Sequence, residues 1–177
     1  NYTSLFSDPN FLASVGRSVG MCIVPILLTI VIVLLALFVT TIYFPKLEKY
    51  VQIICMIPYT IQGVILSVSI LSLYVGTKSV LSNRMVMLMG AYCIVILPYI
   101  YQGIRNGMRA VNMVTLIEAA EMLGASKIYA FFRVVVPNII SAIIVSSLLA
   151  VGIIFGDYVL IRNLAGTSAP NMQIFLY

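Results

Sequence analysis

The chain contains no histidine, and only 8% of its 177 residues are charged. The absence of histidine excludes His-ligated haem, His-based metal sites and acid–base catalysis by histidine. A soluble domain carries about 25% charged residues, whereas 62% of this chain is hydrophobic, so the composition indicates an integral membrane protein. The three cysteines, Cys22, Cys55 and Cys93, lie inside apolar runs. This placement favours small buried hydrophobes over disulfides or metal ligands.

Four apolar runs are long enough to cross a bilayer, because a membrane helix needs about 20 residues. The predicted spans cover about 19–44, 50–74, 85–104 and 134–161. Pro25 lies in the first run, while Pro58 and Gly63 interrupt the second. Ahead of the first run, residues 11–15 have the spacing of a short interfacial helix. The sequence therefore predicts an all-α polytopic membrane protein with a single transmembrane domain over residues 1–177.

The basic residues are distributed unevenly between the two sides of these spans. Six lie on one side, namely Lys46, Lys49, Arg105, Arg109, Lys127 and Arg133. Four lie on the side of the chain ends, namely Arg17, Lys78, Arg84 and Arg162. The positive-inside rule therefore predicts that residues 105–133 are cytoplasmic and that Asn1 is outside. The net charge of +5 reports orientation and not a nucleic-acid partner.

The two ends of the chain suggest further membrane spans. The chain starts at Asn1 without a methionine and stops within an apolar run, Ile174–Tyr177. With Asn1 outside, we expect one further span at each end, which gives four spans of a probable six.

The loop between the third and fourth predicted spans contains the most unusual stretch, TLIEAAEMLGASKIYAFFRVVVP. Thr115 and Glu118 have the spacing of a capping box, which predicts that a short helix starts at Thr115. Gly124 can end that helix in the left-handed conformation, and Ser126 can cap a second helix. At about thirty residues, the loop 105–133 is far longer than a helical hairpin requires. It is either a charged linker or a docking element for another surface.

The same stretch resembles the EAA signature of bacterial ABC importer permeases. That signature reads E-A-A, three residues, G, nine residues, then I-x-L-P. Glu118, Ala119, Ala120, Gly124 and Pro137 match it at every spacing. The departures are valines at 134 and 136 in place of isoleucine and leucine. The resemblance extends over essentially the whole chain and implies a type I ABC importer transmembrane core in the bacterial cytoplasmic (inner) membrane.

The resemblance also implies a role for the loop. The segment Thr115–Leu123 would be the coupling helix that docks in a groove of a cytoplasmic ABC ATPase. Glu118 would be the charged contact or a local cap, Ala119 and Ala120 would allow close approach, and Gly124 would form the turn. The chain has no G-x-x-x-x-G-K-[ST] motif, so it would be a transport subunit without enzymatic activity or cofactor. Its partners would be ATPase subunits, a second permease subunit (identical or different) and an extracytoplasmic solute-binding protein.

Three polar residues are candidates for the solute pathway. Asp157 is the one acidic residue within a predicted span, and intramembrane carboxylates are usually functional. Ser146 lies eleven residues before it, on the same helix face, and Gln62 lies in the second span. The alternatives are an Asp157–Arg162 pair at the interface and interhelical hydrogen bonds from the glutamine. By resemblance, the solute is of the polyamine, iron, opine or phosphonate type.

Two other functions are compatible with a polytopic protein that carries a long polar loop. An ion-coupled secondary carrier would normally have several intramembrane ionisable groups, often with inverted repeats. The sequence has one such carboxylate and no internal repeat. A membrane scaffold protein would share the docking loop but would need no solute pathway.

Overall fold

The computed structural model describes residues 9–61, 63–74 and 84–156. Every secondary-structure element in these ranges is helical, which confirms the predicted all-α fold class. The helices are α1 (Pro9–Ile42), α2 (Glu48–Thr60), α3 (Gly63–Tyr74), α4 (Arg84–Ala110), α5 (Met113–Met122), α6 (Lys127–Ala130), α7 (Val136–Asn138) and α8 (Ile140–Gly156). A short 3-10 turn, Pro45–Leu47, joins α1 to α2, and a π-helical turn, Phe131–Val135, joins α6 to α7.

Helix α1 is continuous over 34 residues and runs through Pro25. The predicted interfacial helix at residues 11–15 is therefore not a separate element, and that prediction was wrong. The polar start of α1 can remain helical because its side chains bond within the helix, as when the Ser14 hydroxyl donates to the Asn10 carbonyl at 2.8 Å. At 1.5 Å per residue α1 is about 50 Å long, which exceeds the hydrocarbon thickness of a bilayer.

The second predicted span is divided into α2 and α3. Helix α2 ends at Thr60, and Ile61 has an extended backbone with φ −91° and ψ 115°. Helix α3 begins at Gly63, so the helix is interrupted between Pro58 and Gly63, as predicted. Neither piece reaches the length of a span, since α2 has 13 residues and α3 has 12.

The fourth predicted span, about 134–161, is not one straight helix. The segments Lys127–Asn138 and Ile140–Gly156 meet at an angle of 66°. Pro137 has no N–H to bond the carbonyl of Arg133, and the π-helical turn immediately precedes it. Proline and π-helical turns are the usual causes of sharp bends in helices.

Within the described residues, two helices are long and apolar enough to cross a membrane. They are α1 and the segment Val86–Ala110 of α4, and the bent pair ending in α8 would make a third span. The count of four spans therefore stays a prediction.

Helix α4 lies at the centre of the fold and packs against α1, α2 and α8. Its buried side chains recur every four residues, which produces one apolar face. These residues are Leu88, Tyr92, Ile96, Ile100 and Ile104.

Small residues allow α4 and α8 to approach closely. A Cβ atom placed on Gly103 would overlap Ser146 Oγ and lie 2.9 Å from Ser146 Cβ. A Cβ atom on Gly107 would lie 2.5 Å from the Cβ of Ala142. Pairs of small residues four apart on both helices are typical of close membrane helix contacts.

Candidate functional site

The loop begins at a sharp turn after α4. Asn112 has a left-handed backbone, with φ 51° and ψ 67°, a conformation that asparagine tolerates better than most residues. The amides of Val111 and Asn112 bond back to the carbonyls of Gly107 and Arg109. This turn reverses the chain so that α5 starts directly afterwards, at Met113.

The predicted capping box at Thr115 and Glu118 is wrong. Both residues lie inside α5, and no side chain caps its first residue. The turn at Asn112 starts α5 at Met113, two residues before Thr115, so Thr115 lies within the first turn of the helix and not at its cap position. Glu118 is exposed on the outer surface of α5 and is free to contact another surface.

The predicted helix stop at Gly124 is confirmed. Its φ is +87°, and its amide bonds to the Glu121 carbonyl at 2.9 Å. The amide of Ala125 bonds to the Ala120 carbonyl at 3.0 Å, which completes the hydrogen-bond pair of a glycine C-cap. The carbonyl groups at the end of α5 are thereby satisfied.

The predicted cap at Ser126 is also confirmed. Its hydroxyl accepts from the backbone amide of Tyr129 at 3.3 Å, and its backbone is extended, with φ −74° and ψ 155°. The second short helix, α6, starts at the next residue, Lys127. Two helices and the turn between them thus form a compact unit.

Helix α5 has one face buried against the protein. Met113 and Ile117 are each 3% exposed, and Ala120 is 9% exposed. These positions recur every three or four residues and share one face. Ala120 therefore packs against the protein's own core. Ala119 is exposed beside Glu118.

The tip of the unit presents two apolar side chains to solvent. Met122 is 89% exposed and Leu123 is 90% exposed. Both lie outside the buried stripe of α5, at the turn closed by Gly124. These two residues were not predicted as contacts, and the spacing alone does not identify them, because Leu123 lies three residues after the buried Ala120.

Contacts with the end of α1 anchor the base of the unit. The ring of Phe131, which is completely buried, lies 4.6 Å from the ring of Phe38 between centroids. Lys127 Nζ lies 5.7 Å from the centre of the Tyr43 ring and 4.0 Å from Glu121 Oε1. The loop is therefore fixed to the helical core and is not a loose linker.

Three charged side chains join α2 to the end of α4. Glu48 Oε1 lies 3.0 Å from a terminal guanidinium nitrogen of Arg105 and 3.5 Å from one of Arg109. Sequence reasoning grouped the two arginines but did not name Glu48. It could have been found as the one acidic residue on the same predicted side of the membrane ahead of the loop.

Beside the loop is a cavity of about 450 Å³. Its wall includes the side chains of Glu118 and Glu121 from α5, Lys127 from α6, and Pro45 and Glu48 from the α1–α2 turn. Glu48 is paired with Arg105 and Arg109, and Glu121 lies 4.0 Å from Lys127. Among the described residues, Glu118 is the carboxylate of this cavity that has no ion pair.

A second cavity, of about 400 Å³, lies between α2, α4 and α8. Its polar lining comes from Tyr59, Tyr99, Gln102 and Ser146. The rings of Tyr59 and Tyr99 lie 5.8 Å apart between centroids. This cavity is where the predicted pathway residue Ser146 lies.

Ser146 is largely occupied by helix packing. It is 4% exposed, its hydroxyl donates to the Ala142 carbonyl at 2.7 Å, and it faces Gly103. The other two predicted pathway residues, Gln62 and Asp157, lie outside the described residues. The G-x-x-x-G spacing of Gly103 and Gly107 was a signal for the α4–α8 contact that the sequence argument did not use.

Pro137 of the signature lies away from the tip. It is exposed at the start of α7, next to the bend between α7 and α8. The signature therefore covers two places, the exposed unit formed by α5 and α6 and the bend that leads into α8.

The unit and the bend lie within a stretch of the chain that matches a known protein family. A family model described as "Binding-protein-dependent transport system inner membrane component" matches residues 47–176, well over half of the chain. No curated protein gives a significant match to the chain.

Proposed function

Because the chain belongs to the family of binding-protein-dependent transport system inner membrane components and is thus an ABC transporter permease component, we propose that it is the membrane subunit of an ATP-driven importer. In this proposal the loop 105–133 couples the permease to ATPase subunits on a separate cytoplasmic chain. The family and the membrane-length helices make the chain an integral inner membrane protein. The proposal extends this to a multi-pass protein of the bacterial cytoplasmic membrane.

The exposed tip of Met122 and Leu123 is the observation that carries the proposal. Large apolar side chains with about nine tenths of their surface exposed are costly in water, at roughly 25 cal/mol per Å² of apolar area. A partner that covers both side chains recovers this free energy. The tip belongs to a unit whose inner face is buried against the protein. The two side chains are therefore already positioned to enter a groove on the partner.

Charge on the same side of the unit supports the choice of partner surface. Glu118 and Glu121 line the cavity of about 450 Å³ beside α5. A basic side chain on the ATPase would pair with Glu118, because Glu121 already lies 4.0 Å from Lys127, while Ala119 allows the two backbones to approach. Gly124 then sets the angle at which α5 enters the partner groove.

The anchoring of the unit supports a mechanical role. Met113 and Ile117 attach α5 to the core, and Phe131 attaches the following segment to Phe38 of α1. A displacement of α5 by the ATPase would therefore pass into the ends of α1 and α4. In this proposal, closure of the ATPase dimer switches the pathway from inward-facing to outward-facing by this route. Pro137 would contribute at the bend where the unit joins α8.

The proposed solute is small and polar, of the polyamine, aminophosphonate or iron type. The cavity between α2, α4 and α8 has a mostly apolar lining, within which the Gln102 amide and the rings of Tyr59 and Tyr99 would contact a solute. Tyrosine rings attract ammonium groups, and Asp157 would add a negative charge on the same route. A second permease subunit and an extracytoplasmic solute-binding protein complete the proposed complex. Binding of spermidine, 2-aminoethylphosphonate and ferric ion to that binding protein tests the solute class; binding of none of them contradicts it.

Replacing Met122 and Leu123 together by serine tests the coupling proposal. We expect this variant to insert in the membrane normally but to lose most of the ATPase subunit during co-purification, because the apolar contact area of the tip is removed. The matched control is Ile128→Ser, which removes an apolar side chain, 58% exposed, on the neighbouring helix α6. Normal recovery of the ATPase with the double variant would refute the docking role of the tip.

A further inference from the structure

Glu48 lies outside the EAA signature, and the proposed function gives it no role. Its Oε1 atom accepts a hydrogen bond from Arg105 Nε at 3.0 Å and lies equally close to a terminal nitrogen of the same guanidinium. Arg109, one turn later on α4, adds a longer contact of 3.5 Å. Two guanidinium nitrogens of Arg105 thus converge on one carboxylate oxygen, and hydrogen bonds between ionised groups are stronger than those between neutral groups.

The ion pair joins two elements with different attachments to the core. Helix α2 starts at Glu48 and has no buried residue. Its apolar contacts come from the partly buried side chains Val51, Cys55 and Met56 and from the ring of Tyr59 against Tyr99. Helix α4, by contrast, is the buried centre of the fold. The pair is therefore a main polar connection that holds α2 to α4.

The ion pair is also close to the loop along the chain. Arg105 and Arg109 lie in the last two turns of α4, and Asn112 turns the chain directly into α5. Any displacement of α5 must move this end of α4, because only two residues separate the helices. The Glu48 ion pair then determines whether α2 moves together with the end of α4.

The ion pair is partly exposed and borders a cavity. The side chain of Arg105 is 11% exposed and that of Glu48 is 25% exposed. A cavity of about 170 Å³ borders both, along with Thr41 and Asn112. The pair is therefore partly open to solvent at Glu48 and largely covered at Arg105.

We propose that Glu48 is a positioning residue of the transport cycle: its carboxylate ties the start of α2 to the end of α4, so that α2 follows α5 when the ATPase moves it. This inference rests on the proposed function. It assigns α2 to the moving part of the permease. The residues that α2 contributes to the wall of the cavity between α2, α4 and α8 would move with it.

The experiment measures two distances by double electron–electron resonance in the permease–ATPase complex in nanodiscs. Cys22, Cys55 and Cys93 are replaced by alanine, and spin labels are attached to cysteines at exposed positions. The pair Leu28–Thr115 reports α5 relative to α1, and the pair Leu28–Ile54 reports α2 relative to α1. Each distance is compared without nucleotide and with ATP plus orthovanadate.

In the otherwise unchanged protein we expect both distances to shift with ATP and orthovanadate. In Glu48→Gln the α5 shift should persist, while the α2 shift should fall below about half of its original size. Exchanging the charges, Glu48→Arg with Arg105→Glu, should restore the α2 shift. The control Lys49→Gln, which removes an exposed charge next to Glu48, should leave both shifts unchanged.

The outcomes separate the inference from the proposed function. An unchanged α2 shift in Glu48→Gln overturns the inference, and so does an equal loss of both shifts, which indicates a merely structural role. An unchanged Leu28–Thr115 distance in the unmodified complex also overturns the inference, because α2 then has no α5 motion relative to α1 to follow. The proposed function is tested separately, by recovery of the ATPase with the Met122 and Leu123 double variant. If Glu48→Gln does not assemble, Arg105→Lys replaces it, since lysine offers one nitrogen in place of two. A full α2 shift in Arg105→Lys overturns the inference.

Discussion

Two glycines in this protein are required for different reasons, and they mark two different kinds of region. Gly103 lies in α4, where a side chain would overlap Ser146 of α8. Gly124 lies at the tip of the loop, where a Cβ atom would meet nothing within 4 Å but the backbone has φ +87°. The first glycine is required by a neighbouring helix, and the second is required by its own backbone.

This difference separates the packed part of the molecule from the part available to a partner. At the α4–α8 contact, small side chains permit close approach of the helices and leave no space for a larger side chain. In the unit formed by α5 and α6, hydrogen bonds at the helix ends fix the shape, while Met122 and Leu123 remain exposed. The unit can therefore keep its shape while its surface is covered by another protein.

The largest effect is expected at the α4–α8 contact. Gly103→Ala should lower the free energy of unfolding by about 1–3 kcal/mol, because the added methyl group overlaps Ser146 and the helices must separate. Thermal unfolding of the purified protein in detergent measures this change. The matched control is Gly90→Ala on the same helix, where a Cβ atom has open space; it should be neutral or slightly stabilising.

An equal loss of stability in Gly103→Ala and Gly90→Ala would show that the contact with Ser146 is not the cause. Gly103→Ala combined with Ser146→Gly should recover much of the loss, because the overlapping atoms are removed.

A smaller effect is expected at the tip of the loop. Gly124→Ala should cost about 1–2 kcal/mol, because alanine in the left-handed region is strained. Gly124→Asn should cost less, since asparagine tolerates that region. Hydrogen–deuterium exchange of the amides of residues 123–125 measures the effect locally. Similar exchange in both variants would contradict the backbone explanation. Gly124 would then be required by neighbouring groups, as Gly103 is.

The smallest effect is expected at the start of α6. Ser126→Ala should cost about 1 kcal/mol, because the Tyr129 amide loses its acceptor. Thr115→Ala, at the position where the sequence predicted a cap, should be neutral or stabilising, since this residue lies inside α5. Thermal unfolding of the two variants compares them directly. A larger loss in Thr115→Ala would restore the capping box and contradict the helix start at Met113.

The loop illustrates how far sequence reasoning reached for the candidate site. The turn at Gly124 and the cap at Ser126 were predictable because each depends on residues within four positions along the chain. The start of α5 was not, because it depends on how α4 ends at Asn112. The burial of Ala120 was also missed, since the signature gives the residue but not the side of the helix that packs on the core.

The sequence by itself determined the class of the protein: the composition and long apolar runs require a membrane, and the EAA spacing leads to the family that the match to residues 47–176 assigns. These properties follow from local composition and short-range spacing. Only the tertiary structure decided which distant groups meet. Glu48 and Arg105 are 57 residues apart along the chain, and Gly103 faces Ser146 across two helices. Such contacts depend on how helices that are distant along the chain pack against one another, which local composition and spacing do not specify.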